Sequence, residues 1–140
     1  MEVGPRNEVC LEGCVGINFR IVPTQGETKF KALTVTGCSD CTVVFPTMVG
    51  NLEVINSNRV LVRPTGHVAI IQIDGSDRIT VELSTESQDT SMYTAKSSCI
   101  NMRRPEEGKE GSLVEFMLPE QVKHTFDSSW KVSSVPVSIE

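Results

Sequence analysis

The sequence is short of helix formers and of aromatic rings. Ala occurs 3 times and Leu 7 times in 140 residues, and only 5% of the chain is aromatic. Few of the residues that stabilise helix interiors are therefore present, which argues against a helical bundle. No apolar run approaches the roughly 18 residues of a membrane-crossing helix. The N-terminus MEVGPRNEVC lacks a basic start followed by an apolar stretch, so it does not read as a secretion signal. Positive charge is in the minority: 13 Lys and Arg face 18 Asp and Glu, a formal charge of −5. A general nucleic-acid binder needs a basic surface, and this chain is not expected to be one. Five cysteines, an odd number, do not make a disulfide framework without a secretory context.

What the chain has is β-branched residues: 18 Val, 9 Ile and 12 Thr. Their side chains are stiff at χ1 and pack well on a pleated surface, so the chain is expected to be mostly strand. Its length suits one domain with a core of its own.

Four segments of the middle region repeat: V-T-G-C-S-D-C-T-V from Val35, V-I-N-S-N-R-V-L-V from Val54, I-D-G-S-D-R-I-T-V from Ile73 and Y-T-A-K-S-S-C-I-N from Tyr93. Each reads as strand, tight polar corner, strand, with alternate residues facing one side. Gly37, Asn56, Gly75 and Ala95 align as the small corner residues. Cys41, Val60, Ile79 and Cys99 align just after the polar triplets. Gly, Asn, Ser and Asp suit such corners because they accept left-handed backbone or hydrogen-bond it locally. A period near 19 fits one rung of a β-solenoid, in which side chains stack into interior ladders. Cys10-x3-Cys14 and Cys38-x2-Cys41 have spacings that could supply zinc thiolates. The ladder instead favours packing for Cys41 and Cys99, and no metal site is expected.

Residues 1–29 match the repeat weakly, and the rungs are expected over 30–105. A charged loop, E-E-G-K-E-G, and a strand fill 106–123. The tail 124–140 reads as a separate apolar hairpin. A solenoid has open ends that need cover, and exchange of a terminal element between two copies would give a symmetric dimer. Trp130, Val132, Val135, Val137 and Ile139 are the candidate dimer residues.

Three motifs in order carry a family resemblance: V-G-x-x-E-V-I-N-S-x-x-V-x-V from Val49 to Val62, A-K-S-S-x-x-N from Ala95 to Asn101, and F-x-x-P-E-Q-x-K from Phe116 to Lys123. With Cys38 and Phe45, they resemble the C-terminal domain of the cyclase-associated proteins over residues 30–140. The resemblance implies a right-handed parallel β-helix that dimerises by exchanging a C-terminal hairpin. It further implies a cytoplasmic, cytoskeletal domain that binds monomeric actin, prefers the ADP form and promotes nucleotide exchange, with no cofactor. A chain of this length reads as a naturally short form or as a piece of a longer member, without the helical domain and proline-rich segments that longer members carry.

The corner columns are the first binding candidates: Asn58, Arg59, Asp77, Arg78, Lys96, Ser97 and Ser98, with Asn101 and Arg103 following. Stacked corners make a patterned edge, although solenoid corners are polar wherever they meet water. Basic residues there could steer an acidic partner such as actin. Glu120 and Lys123, long and charged beside Pro119, are further candidates, whereas Phe116 reads as core. No nucleophile elbow or phosphate loop is present, so no enzyme is expected. The repeat alone also fits a scaffold of the tubulin-cofactor type, binding tubulin or a small GTPase.

Overall fold

The computed structural model describes residues 8–22, 31–87 and 89–137. Among the described residues all thirteen elements are strands. β1 (Glu8–Glu12), β3 (Ala32–Thr36), β5 (Met48–Ile55), β7 (Val68–Asp74) and β9 (Ser91–Ala95) stack in parallel as one five-stranded sheet. β2 (Asn18–Arg20), β4 (Ser39–Phe45), β6 (Asn58–Pro64), β8 (Asp77–Glu82) and β10 (Asn101–Pro105) stack likewise in a second sheet, and β11 (Leu113–Met117) closes it antiparallel to β10. Successive strands alternate between the two sheets. The result is a parallel β-helix, as the repeat predicts, with five rungs among the described residues.

Period-2 alternation puts one face of each strand inside. Val9, Leu33, Leu52 and Ile71 stack in one ladder, and Leu11, Val35, Val54 and Ile73 in the next. Across the core stand Cys41, Val60 and Ile79, then Val43, Val62 and Val81. Every one of these is buried. At about 1.5–3 kcal/mol for each fully buried aliphatic side chain, the ladders are the main cohesive force between rungs.

The structure corrects three expectations. Residues 8–22 are not outside the repeat, because β1 pairs with β3 and β2 with β4 to make a first rung. Its corner lies 24 residues before the next, with Val15 bridged to Ser39, so a search at period 19 passes over it.

The fifth rung, which holds the fourth sequence repeat, is shifted by one residue. Tyr93 pairs with Gln72 rather than Ile73 and faces outward. Lys96, not Ala95, holds the small-residue position. Asn101 pairs with Thr80 and Met102 with Val81, which puts Ile100 rather than Cys99 beside Ile79. Ile100 is buried and Cys99 is exposed. The cause is the Leu83–Thr90 connection, which brings the step from Asp77 to Ser98 to 21 residues.

Phe116 lies on the inward row opposite Met102 yet is 42% exposed, because no rung covers it at the open end.

β12 (Val122–Phe126) and β13 (Val132–Pro136) form a hairpin that, among the described residues, pairs only with itself.

Candidate functional site

Each tight corner is two residues long: Gly37-Cys38, Asn56-Ser57, Gly75-Ser76 and Lys96-Ser97. So short a turn needs left-handed backbone on both sides of its second residue. Gly37, Asn56, Gly75 and Lys96 have φ of 63°, 49°, 59° and 51°. Asp40, Arg59, Arg78 and Cys99 repeat this at 54°, 53°, 58° and 54°. At Gly75 the requirement is doubled, since a Cβ would run into the Asn56 side-chain oxygen. Non-glycine residues hold this conformation at a cost of about 1–3 kcal/mol each, so the stack must over-determine them.

A buried hydroxyl ladder supplies that constraint. The N–H of Cys38 donates to Ser57 Oγ at 3.2 Å, that of Ser57 to Ser76 Oγ at 3.1 Å, and that of Ser76 to Ser97 Oγ at 3.1 Å. Each hydroxyl in turn donates to the carbonyl two residues before it, in Ile55, Asp74 and Ala95. Cys38 begins the column, its thiol reaching the Thr36 and Leu11 carbonyls. Burial chiefly pushes the Cys38 thiol above its ordinary pKa, against a smaller opposing effect of a Cys14 backbone hydrogen bond, which keeps it protonated.

Outside this ladder the side chains stand in register at about 4.8 Å per rung. Arg59 Nε donates to Asp40 Oδ1 at 2.6 Å and Nη2 to Oδ2 at 3.2 Å. These hydrogen bonds hold the Asp40 carboxyl below the usual range. Arg78 Nε lies 3.7 Å from Asp77 Oδ2, and Ser98 Oγ donates to Asp77 Oδ1 at 2.6 Å. Asn58 sits between Ser39 and Asp77, with its Oδ1 buried and without a donor. Lys96 is exposed and has no ion-pair partner among the described residues. The edge thus carries paired charge at Asp40 and Arg59 and an unpaired cation at Lys96.

Of the candidates from sequence, Asn58, Arg59, Arg78, Lys96, Ser97 and Ser98 come together on this edge. Glu120 joins them, because its carboxylate accepts the Cys99 N–H. That contact fastens the P-E-Q segment to the A-K-S-S corner, so the two motifs are one structural unit. Asn101 and Arg103 lie instead on the outer face of the second sheet. There Arg63, Glu82, Arg103 and Glu115 form a ladder of ion pairs at 3.0, 3.6 and 3.5 Å. Lys123 lies on the hairpin, one strand residue before His124. Sequence reasoning left Asp40 off the candidate list. Asp40 precedes Arg59 by the repeat period of 19, which was the signal for that pair.

The hairpin divides the dimer candidates. Val122, His124 and Phe126 share one face with Pro136, Ser134 and Val132. Trp130 extends it, packed edge-on to Phe126 at 6.0 Å. Val135 lies opposite Lys123 on the other face, and Val137 bonds back to Gln121. Val132 and Val135 are separated by an odd number of strand positions and so cannot share a face. Ile139 lies outside the described residues.

At the wide corner, a cleft of about 900 Å³ lies between the Leu83–Thr90 connection and the loop from Arg104 to Gly111. The Ser84 and Ser87 hydroxyls beside it are turned to the Gly66 carbonyl.

Similarity to known proteins bears on this geometry. The structure superposes on the crystal structure of cyclase-associated protein from Cryptosporidium parvum with a TM-score of 0.71, covering 98% of this chain and 87% of that one at 21% identity. In sequence it is 31% identical to cyclase-associated protein 1 of Arabidopsis thaliana over 98% of its length, and 37% identical to human adenylyl cyclase-associated protein 1 over 87%. It spans only 28% and 24% of those relatives' lengths. The family model described as adenylate cyclase associated (CAP) C terminal matches residues 2–139, taking in the N-terminal part that the motifs left out. The chain therefore belongs to the C-terminal domain family of the adenylate cyclase-associated proteins.

Proposed function

We propose that this chain binds monomeric actin in the cytoplasm, favours the ADP-bound form and promotes its exchange to ATP, acting as a dimer joined through the C-terminal hairpin. The observation that carries the reading is the family match over residues 2–139. The function is one of binding rather than catalysis. In this reading the tight-corner edge is the contact surface. Lys96 and Arg78 supply positive charge toward acidic actin, and Ser97, Ser98 and Asn58 set the register. A ligand shifts its partner only through unequal affinity for the partner's states. Tighter grip on the nucleotide-open form of actin would speed ADP release.

The dimer reading rests on the exposure of the hairpin. Trp130 is 81% exposed and Phe126 62%. An isolated two-stranded hairpin is marginal in water. A second copy presents the same uncovered solenoid end, near Phe116 and Met92, and the same hairpin to exchange.

The test is equilibrium binding to ADP-loaded and ATP-loaded actin, followed by release of labelled nucleotide. Tighter binding to ADP-actin with faster release is expected. An unchanged release rate at saturating protein removes the exchange role. Retention of tubulin in place of actin would reassign the partner.

A further inference from the structure

We propose that His124 makes docking of the exchanged hairpin sensitive to pH, with the neutral imidazole permitting docking and the imidazolium opposing it. The inference rests on the dimer reading above and adds a means of regulating it.

His124 lies at the centre of the hairpin's more apolar face. Along its own strand it is flanked on that face by Val122 and Phe126. Across the hairpin, Ser134 stands directly opposite, with Val132 and Pro136 diagonal to it. Trp130 continues the apolar surface beyond Phe126. The opposite face carries Lys123, Thr125, Ser133 and Val135, of which only Val135 is aliphatic. The face with His124 is therefore the one whose burial the hydrophobic effect favours. Any packing that covers Val122, Phe126 and Val132 covers the imidazole between them.

The neutral ring suits that burial. Its Nδ1 and the Ser134 hydroxyl form a hydrogen bond at 2.7 Å, so each arrives already partnered. The protonated ring does not. The hairpin's other ionisable groups are Lys123 on the opposite face and Asp127 and Lys131 in the turn, so no carboxylate of the hairpin faces His124; at the uncovered solenoid end the inward row carries Met92, Val114 and Phe116, while Glu115 lies on the outer face beside Arg103. Asp127 is also held in the turn, its Oδ1 accepting the N–H groups of Ser129 and Lys131. A cation buried without a counter-ion is opposed by desolvation.

The sign follows from linkage. Docking favours the neutral form, so the docked hairpin binds fewer protons than the free one. Where the imidazole is neutral in both states docking is unaffected. Where falling pH protonates the free hairpin, docking must release that proton. Each docked hairpin then weakens by up to about tenfold per pH unit, and a dimer with two exchanged hairpins by up to about a hundredfold.

The test is the dissociation constant of the full chain, measured by analytical ultracentrifugation from pH 7.5 to 5.0 at fixed ionic strength. For a dimer too tight to dilute, the urea midpoint of dissociation is measured instead. The wild type should dissociate progressively more readily below about pH 6.5, whereas His124→Gln, which keeps a neutral hydrogen-bonding group, should lose that dependence. A wild-type dimer as stable at pH 5.5 as at pH 7.5 would overturn the proposal, as would a His124→Gln profile parallel to the wild type. Phe126→Ser with Trp130→Ser tests the dimer reading separately at pH 7.5. A dimer that survives this change removes the hairpin's apolar face from the interface. A chain monomeric at every pH overturns both readings.

Discussion

Arg59 grips Asp40 of the preceding rung through two parallel hydrogen bonds, at 2.6 and 3.2 Å, while both residues hold left-handed backbone. The pair lies at the surface, its side chains 51% and 48% exposed, so it contributes little to cohesion. Its effect is on the charge that the edge presents. Asp40→Asn leaves Arg59 uncompensated and is expected to raise the association rate with acidic actin. Arg59→Ala is expected to lower it, and both effects should shrink as salt is added. Melting temperature should hardly move for either. Stopped-flow association at two ionic strengths checks the pair. Because Arg59 holds the Asp40 pKa down, the folded carboxyl stays ionised above the ordinary value of about 3.9, and the pair weakens only as pH falls through its lower folded value. The charge of the Arg59–Asp40 pair should therefore be constant from about pH 5 to 8.

Ser76→Ala removes the acceptor for the buried Ser57 N–H. Leaving that group unsatisfied is expected to cost about 1–3 kcal/mol in urea unfolding. Ser76→Cys should lose less, because Cys38 already stands in the same column and bonds the carbonyl two residues back. Equal losses for Ala and Cys would mean that the hydroxyl acceptor itself, which a thiol does not replace, sets the requirement.

Lys96→Gly separates fold from binding. At φ 51° the lysine is strained, and glycine accepts this backbone readily. Stability is expected to rise by about 0.5–1 kcal/mol while actin affinity falls. Lys96→Ala, which keeps a Cβ, should lose affinity without the gain in stability. Calorimetry beside a binding titration reads both quantities.

Thiol labelling reads the corrected register. Cys99 is expected to react first with a maleimide at pH 7.5. Cys10, though exposed, should react more slowly, since partial desolvation and then the Glu12 carboxylate raise its pKa. Cys38 and Cys41 should react only on unfolding. Protection of Cys99 in the native protein would return it to the core.

Much of this was legible in the sequence. Val35, Val54 and Ile73, with Val60 and Ile79, announce the ladders, because a stacked solenoid demands the same side chain type at the same rung position. The first and fifth rungs were harder. The first stands 24 residues before the next and the fifth follows the long Leu83–Thr90 connection, and a fixed period carries no information about loop length. Tyr93 aligned with Ile73 by size alone, whereas backbone pairing sets it one residue away. The Glu120 contact with Cys99 was not legible either, since it joins two motifs through a chain reversal that no periodicity encodes. Nor could spacing reveal that Arg103 is engaged by Glu82 and Glu115 on another face.

The two corners of each rung tolerate change very differently. The tight corner is two residues in four successive rungs, tied by the serine column, so an insertion there would shear every ladder above it. The wide corner is two residues at Pro46-Thr47, three at Thr65–His67 and eight at Leu83–Thr90, and the rungs stack regardless. Loop length there is nearly free energetically, each doubling adding about 0.6 kcal/mol of closure entropy. The wide corner is thus a ready grafting position. A short epitope or dye-bearing peptide spliced between Thr85 and Glu86 would be displayed away from both the corner edge and the hairpin, giving a reporter that leaves each surface intact.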